Sequence, residues 1–356
     1  MDASALIPAA DTIPAAPWFF RILLDATFAV HLLLMNAMLG LCMVGLVRSL
    51  KRSSPRAKAL GQQAGMVPGL TALTVNIGVA PLLFVQVLYG QFLYVSNTLM
   101  AVWWFGISLV VMAAYALAYR QKYALHKGQD TGTVVWALMC LLLLAVSLAQ
   151  TQNALLLVRP DLWSGYFDQP DGRLLPWGDP TLWPRWLHFV TAAAAIGGLT
   201  LAMIGHRRTK HHDPHGAHLT AEGLQWFAWA TVAQFAWGVW WLMALPRPLL
   251  LAFMGGDALA TGLLLAGMAG ALAAVLLAFK GRLMATAAAA VATVGIMTAL
   301  RGVLRQLYLQ PYFDPATLPL RPEPSTVVMF LSCVALSLIV VIWAARHPMV
   351  DKKGRA

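Results

Sequence analysis

Long apolar runs, broken by short polar segments, make up most of the chain. A helix that crosses a bilayer needs about 20 mainly apolar residues. Nine runs meet that length: 19–47, 66–94, 99–119, 133–157, 183–205, 224–245, 258–279, 283–309 and 326–345. The pattern predicts an all-α polytopic membrane protein with nine transmembrane helices. It reads as a single membrane domain over 1–356. Helices 1–4 fall within 19–157, an outer loop within 158–182, helices 5–8 within 183–309, a second outer loop within 310–325 and helix 9 within 326–345.

Composition agrees with that reading. Of the 356 residues 60% are hydrophobic and 11% charged, where soluble domains carry about 25% charged residues. A soluble enzyme is excluded. The net charge of +11 would suit a nucleic-acid binder, but seventeen of the 25 Lys and Arg sit in five clusters between the spans, at 48–58, 120–127, 207–210, 280–282 and 346–355. No single basic face is left to track phosphates, so nucleic acid is excluded as a partner. The clusters occupy every second connection and the C-terminal segment. The other connections hold Asp161, Asp168, Asp171, Asp179, Asp257, Asp314 and Glu323. That asymmetry predicts the N-terminus outside and the C-terminus inside, in a bacterial inner membrane. Trp18, Trp163, Trp177, Trp183 and Trp186 gather at the expected outer ends, as an aromatic belt would. The first 17 residues lack the positive segment of a cleaved signal peptide, so the first span is expected to stay.

A weak repeat of constant orientation runs through the chain. His31 has Gly40 nine residues on, and His188 has Gly197 nine residues on, four spans later. Two four-helix units plus one helix is the architecture this predicts.

Ionisable residues inside a membrane are costly and point to function. The candidates are His31, His188, Arg301 and Arg305; Asp25 is the nearest acid. His31 lies about 15 Å below the outer boundary, at 1.5 Å per residue, with Thr27, Met35, Met38 and Cys42 on its face. It reads either as a haem-iron ligand or as a histidine hydrogen-bonded to a neighbouring helix. His188 precedes Ala192 to Ala195, Gly197 and Gly198, a bare face that a porphyrin plane or a close helix crossing would use. Met268, between glycines in Ala266-Gly-Met-Ala-Gly270, is a candidate second axial ligand, because His/Met pairs hold haem iron in cytochromes. By depth Met243 and Met254 match His188 better. Arg301, Arg305 and Tyr308 share one helical face, where two guanidinium groups could grip haem propionates or snorkel to water.

Three cysteines, Cys42, Cys140 and Cys333, stand alone in apolar spans without a CxxC or CxxCH pattern, and are expected to be buried structural thiols. His206, His211, His212, His215 and His218 lie in one inner connection, which reads as a solvated loop rather than a metal tract.

The second span reads Asn76-Ile-Gly78-Val79-Ala80, then Gln86 and Tyr89-Gly90. This resembles the second-helix signature of the large subunit of cytochrome bd-type oxidases. Arg21 ten residues before His31, the aromatic stretch before His188 and the nine-helix topology are also similar to that family. The resemblance implies one to three b-type haems near the outer face, with His31 on an active-site haem and His188 and Met268 on a low-spin haem. Gln86 stands where the family has an acidic residue, and would line the first haem. The glutamate expected in the eighth span is absent near Arg301, and the quinol-binding loop shrinks to 246–256. The expectation is therefore a haem-binding electron-transfer subunit of a respiratory complex, partnered by a periplasmic c-type cytochrome or other respiratory subunits, without oxygen reduction. Two alternatives stand beside it: a cofactor-free transporter or assembly subunit, and a quinol:oxygen oxidoreductase.

Overall fold

The computed structural model describes residues 3–50, 54–127, 132–168 and 170–346, with side chains from 63 on in the second helix and not at 344 and 345. Ten α-helices follow one another: α1 (Pro17–Leu50), α2 (Ser54–Leu99), α3 (Ala101–His126), α4 (Gly132–Val158), α5 (Leu182–Lys210), α6 (Gly216–Ala244), α7 (Arg247–Leu251), α8 (Ala258–Phe279), α9 (Leu283–Leu309) and α10 (Pro324–Arg346). Their long exposed apolar side chains and internally satisfied backbones are what lipid demands. The chain is an all-α, multi-pass membrane protein.

Among the described residues eight helices are long and apolar enough to cross a bilayer, and α6 is not one of them. Its length suffices, but Trp226, Trp229, Gln234, Trp237, Trp240 and Trp241 dilute its apolar character. The predicted spans 258–279 and 283–309 coincide with α8 and α9. α2 runs well beyond its predicted span, through Pro68 and Pro81, and departs from helical geometry at Tyr89. Each proline removes one backbone hydrogen bond, yet the helix continues through both. The part of the expected basic clusters at 51–53 and 347–355 lies outside the described residues.

α1 to α4 pack on one another, and α5, α6, α8 and α9 repeat the same arrangement. The two groups meet along α1 and α5. There Gly40 and Gly197 are in direct contact: a Cβ on Gly40 would sit 1.8 Å from the Ala193 carbonyl oxygen. Gly198, Gly205, Gly216 and Gly223 let α5 and α6 close in the same way, with backbone or Cβ atoms under 3 Å from any added methyl. Small residues permit such crossings where lipid offers no hydrophobic drive for association. The glycines read from sequence as a bare face are thus covered by helices.

One end of the bundle carries folded connections, and is called the capped end here. A 3-10 helix at Pro160–Phe167 buries Trp163, whose Nε1 donates to the Leu156 carbonyl at 2.8 Å. Arg159 pairs with Asp161 and with the buried Asp179; the Asp161 hydrogen bond, chief among these contacts, holds the guanidinium charged. In the 246–256 connection, α7 and a single π turn tuck Phe253 inward. Asp257 then caps α8 by accepting from Ala260 N at 2.7 Å. At the opposite, basic end Arg48 bonds Glu222 at 2.5 Å and ties α1 to α6.

α10 stands apart. Nearly every described side chain on it is exposed, and it touches α1 and α2 through Phe330 against Phe19 and Phe84. Cys333 is exposed there, against expectation, while Cys42 and Cys140 are buried free thiols.

Candidate functional site

The two intramembrane histidines are held alike. Nδ1 of His31, on α1, lies 3.1 Å from the Thr74 carbonyl oxygen on α2. Nδ1 of His188, on α5, lies 3.3 Å from the Gln234 carbonyl oxygen on α6. A carbonyl oxygen only accepts, so Nδ1 carries the proton in both rings. Each neutral imidazole therefore keeps its free lone pair on Nε2. Four residues after each carbonyl comes a glycine beneath the ring. A Cβ on Gly78 would lie 2.7 Å from His31 Cε1, and one on Gly238 3.5 Å from His188 Nδ1. The repeat seen faintly in sequence is thus a repeat of the site itself: histidine, carbonyl of the next helix, glycine one turn on.

The surroundings differ. His188 lines a cavity of about 280 Å³ between α5, α6, α8 and α9, with Leu245 and Phe253 also in its lining. That volume is near the lower end for ligand sites, roughly 300 Å³ upward. Met268 and Arg301 line the same cavity, as do Ala192, Ala195 and the buried Asn36. Met243 and Met254, the better matches by depth, are exposed outside it. The Trp241 ring packs against His188 at 6.0 Å between centroids.

His31 is not on that cavity. Its ring lies against Gly78, with Phe28 at 6.3 Å. Gln86 is exposed on α2, with no hydrogen bond to His31.

Between the two histidines, toward the capped end, α1 and α9 form a charged ladder. Arg21 donates to Gln306 at 2.7 Å, Asp25 sits against Gly302, and Arg301 covers the Phe28 ring at 4.3 Å. Gly302 matters here: its missing Cβ would stand 3.2 Å from Asp25 Oδ1. Arg305 lies over Tyr89 at 5.0 Å and is 7% exposed, with Nη1 lacking a hydrogen-bond partner. Asp25 is the one carboxylate in the eight apolar spans, against three arginines on this ladder.

Arg185 and Trp241 were not singled out by the sequence reading. Spacing could have found Arg185, since a residue three before His188 shares its helical face. In the 206–218 connection the histidines are mostly exposed, and no group of three or more metal-type ligands occurs among the described residues.

No family model matches the chain, and comparison with curated proteins and with solved structures returns no significant match.

Proposed function

We propose that the chain is a haem-binding, electron-transferring membrane subunit with nine spans, the capped end outside and the basic end inside. One observation carries the reading: both intramembrane histidines spend Nδ1–H on a backbone carbonyl and keep Nε2 free. Metal-ligating histidines are held this way, the second nitrogen fixing tautomer and ring orientation. The two readings of each histidine are therefore compatible, since a bond to the next helix is what prepares the ring for iron.

The remaining donor set fits a b-type haem at His188. Met268 lines the same cavity and supplies a thioether, and Arg301 supplies a guanidinium for a carboxylate. Arg305 is not on that cavity; it lies over Tyr89, where its buried Nη1 has no hydrogen-bond partner. Bound at His188, the haem would supply one-electron chemistry. The chain's own part is to orient imidazole and thioether, to exclude water with Phe253 and Leu245, and to hold charge at the capped end. His31 offers the same imidazole for a second haem, with Gln86 on the neighbouring helix.

The capped end would meet the electron donor, a c-type cytochrome or another respiratory subunit. Oxygen reduction is left out, because no carboxylate besides Asp25 stands in the apolar spans to relay protons. Gln86→Glu tests that exclusion: oxygen consumption gained only in the variant supports it, and rapid consumption by the wild type refutes it.

The reading is tested by a reduced-minus-oxidised spectrum of purified protein from haem-replete cells. Bands that are lost selectively in His31→Ala and His188→Ala support it. A colourless wild type leaves the cofactor-free transporter or assembly reading.

A further inference from the structure

The cavity beside His188 has a mainly apolar wall, and several of its polar groups are engaged within the protein. Thr231 Oγ1 donates to the Phe227 carbonyl at 2.7 Å, and Thr293 Oγ1 to the Ala289 carbonyl at 2.8 Å, each within its own helix. Gln234 Nε2 donates to the His188 carbonyl at 3.4 Å. Asn36 is different. It lines the cavity from α1, it is 5% exposed, and its Oδ1 has no hydrogen-bond partner. A buried acceptor left unpaired costs more than an ordinary hydrogen bond gains, so folded proteins pair nearly all of them.

The register of α1 places this amide. Phe28, Leu32 and Asn36 follow at four-residue intervals and share one face of the helix. Leu32 and Asn36 line the cavity, and the Arg301 guanidinium, which lines it from α9, covers the Phe28 ring. Asn36 lies eight residues beyond Phe28, about 12 Å further from the capped end at 1.5 Å per residue. The cavity thus has a cationic pole at Arg301 and an amide pole at Asn36.

We propose that Asn36 binds a hydroxyl on the edge of the ligand opposite its carboxylates, the hydroxyl donating to Oδ1. This rests on the haem reading and narrows it. In b-type haem the substituents opposite the carboxylates are vinyl groups, which cannot donate a hydrogen bond. A haem hydroxylated on that edge satisfies both poles at once, its carboxylates toward Arg301 and its hydroxyl at Asn36.

The test uses full-length protein from haem-depleted cells, titrated in detergent with two synthetic haems. In mesohaem the vinyl groups are replaced by ethyl; in haematohaem they are replaced by hydroxyethyl, which adds the hydroxyl with little change of size. Binding is read from the His188 bands. The wild type is expected to prefer haematohaem by about two- to tenfold, the worth of one neutral hydrogen bond. Asn36→Leu should reverse the preference, because the hydroxyl then enters an apolar wall without a partner. Equal affinities in the wild type, as when an ordered water already serves the amide, overturn the proposal. So does a preference that Asn36→Leu leaves unchanged. If Asn36→Leu does not accumulate, Asn36→Ala decides: loss of the preference sustains the proposal, and an unchanged one ends it. A wild type that takes up neither compound removes the haem reading itself, and this inference with it.

Discussion

His31 and His188 sit in the same local frame and in different rooms. Each lies nine residues before a glycine of the α1–α5 crossing, and each gives Nδ1–H to a carbonyl of the next helix. At His188 the ring opens onto a cavity with Met268 and Arg301. At His31 the ring presses on Gly78, and its neighbours are Phe28 and the charged ladder of α1 and α9. The contrast teaches that the repeat sets imidazole tautomer and direction, while the side chains that differ between the two halves set what the imidazole can meet. α8 brings a thioether to one site; at the other, α2 brings the Thr74 carbonyl and Gly78, with Gln86 exposed further along.

The largest effect should come from the element both sites share. Gly40→Val places a branched side chain where a Cβ alone meets the Ala193 carbonyl and the Gly197 backbone. Neither backbone can yield, so the cost should exceed the roughly 1–3 kcal/mol of ordinary overpacking. Thermal unfolding in detergent is expected to show a collapse of stability and of both histidine sites; a near-native melt would break the shared-frame account.

A smaller effect should separate the two sites. Gly78→Ala drives a methyl to 2.7 Å from the His31 ring, so the imidazole must shift, at about 1–3 kcal/mol. Gly238→Ala meets His188 at 3.5 Å, an ordinary contact, and should stay within about 0.5 kcal/mol of the wild type. Equal melting shifts for the two variants would erase the difference. Smallest in stability is Met268→Leu, a volume-conserving change at a residue 39% exposed, expected to cost under about 1.5 kcal/mol. Its consequence should be spectral: altered ligation at His188 alone, with the His31 bands unmoved.

Most of the skeleton was legible because apolar length is a strong signal in a membrane. α8 and α9 match their runs residue for residue, and α5 brackets its run. What escaped has physical causes. A helix can carry polar residues and prolines past the bilayer, so the length of α2 was not visible. Loop length hid α7 and the π turn that places Phe253 in the cavity lining. In the site, His188, Met268 and Arg301 could be named from residue type, and they share one cavity. Depth counted along the chain favoured Met243 and Met254, but both are exposed and lie off the cavity, while Met268 on α8 lines it. Gly197 and Gly198 show the limit most plainly. A stripe of small residues reads the same whether a flat ligand or another helix covers it, and here helices do.

The central claim is that two differently housed imidazoles each bind iron. A reduced-minus-oxidised spectrum with haem extraction, on the wild type, His31→Ala and His188→Ala, tests it most directly. The account requires two sets of haem bands, one missing from each variant. A colourless wild type, or a spectrum unchanged in both variants, contradicts it.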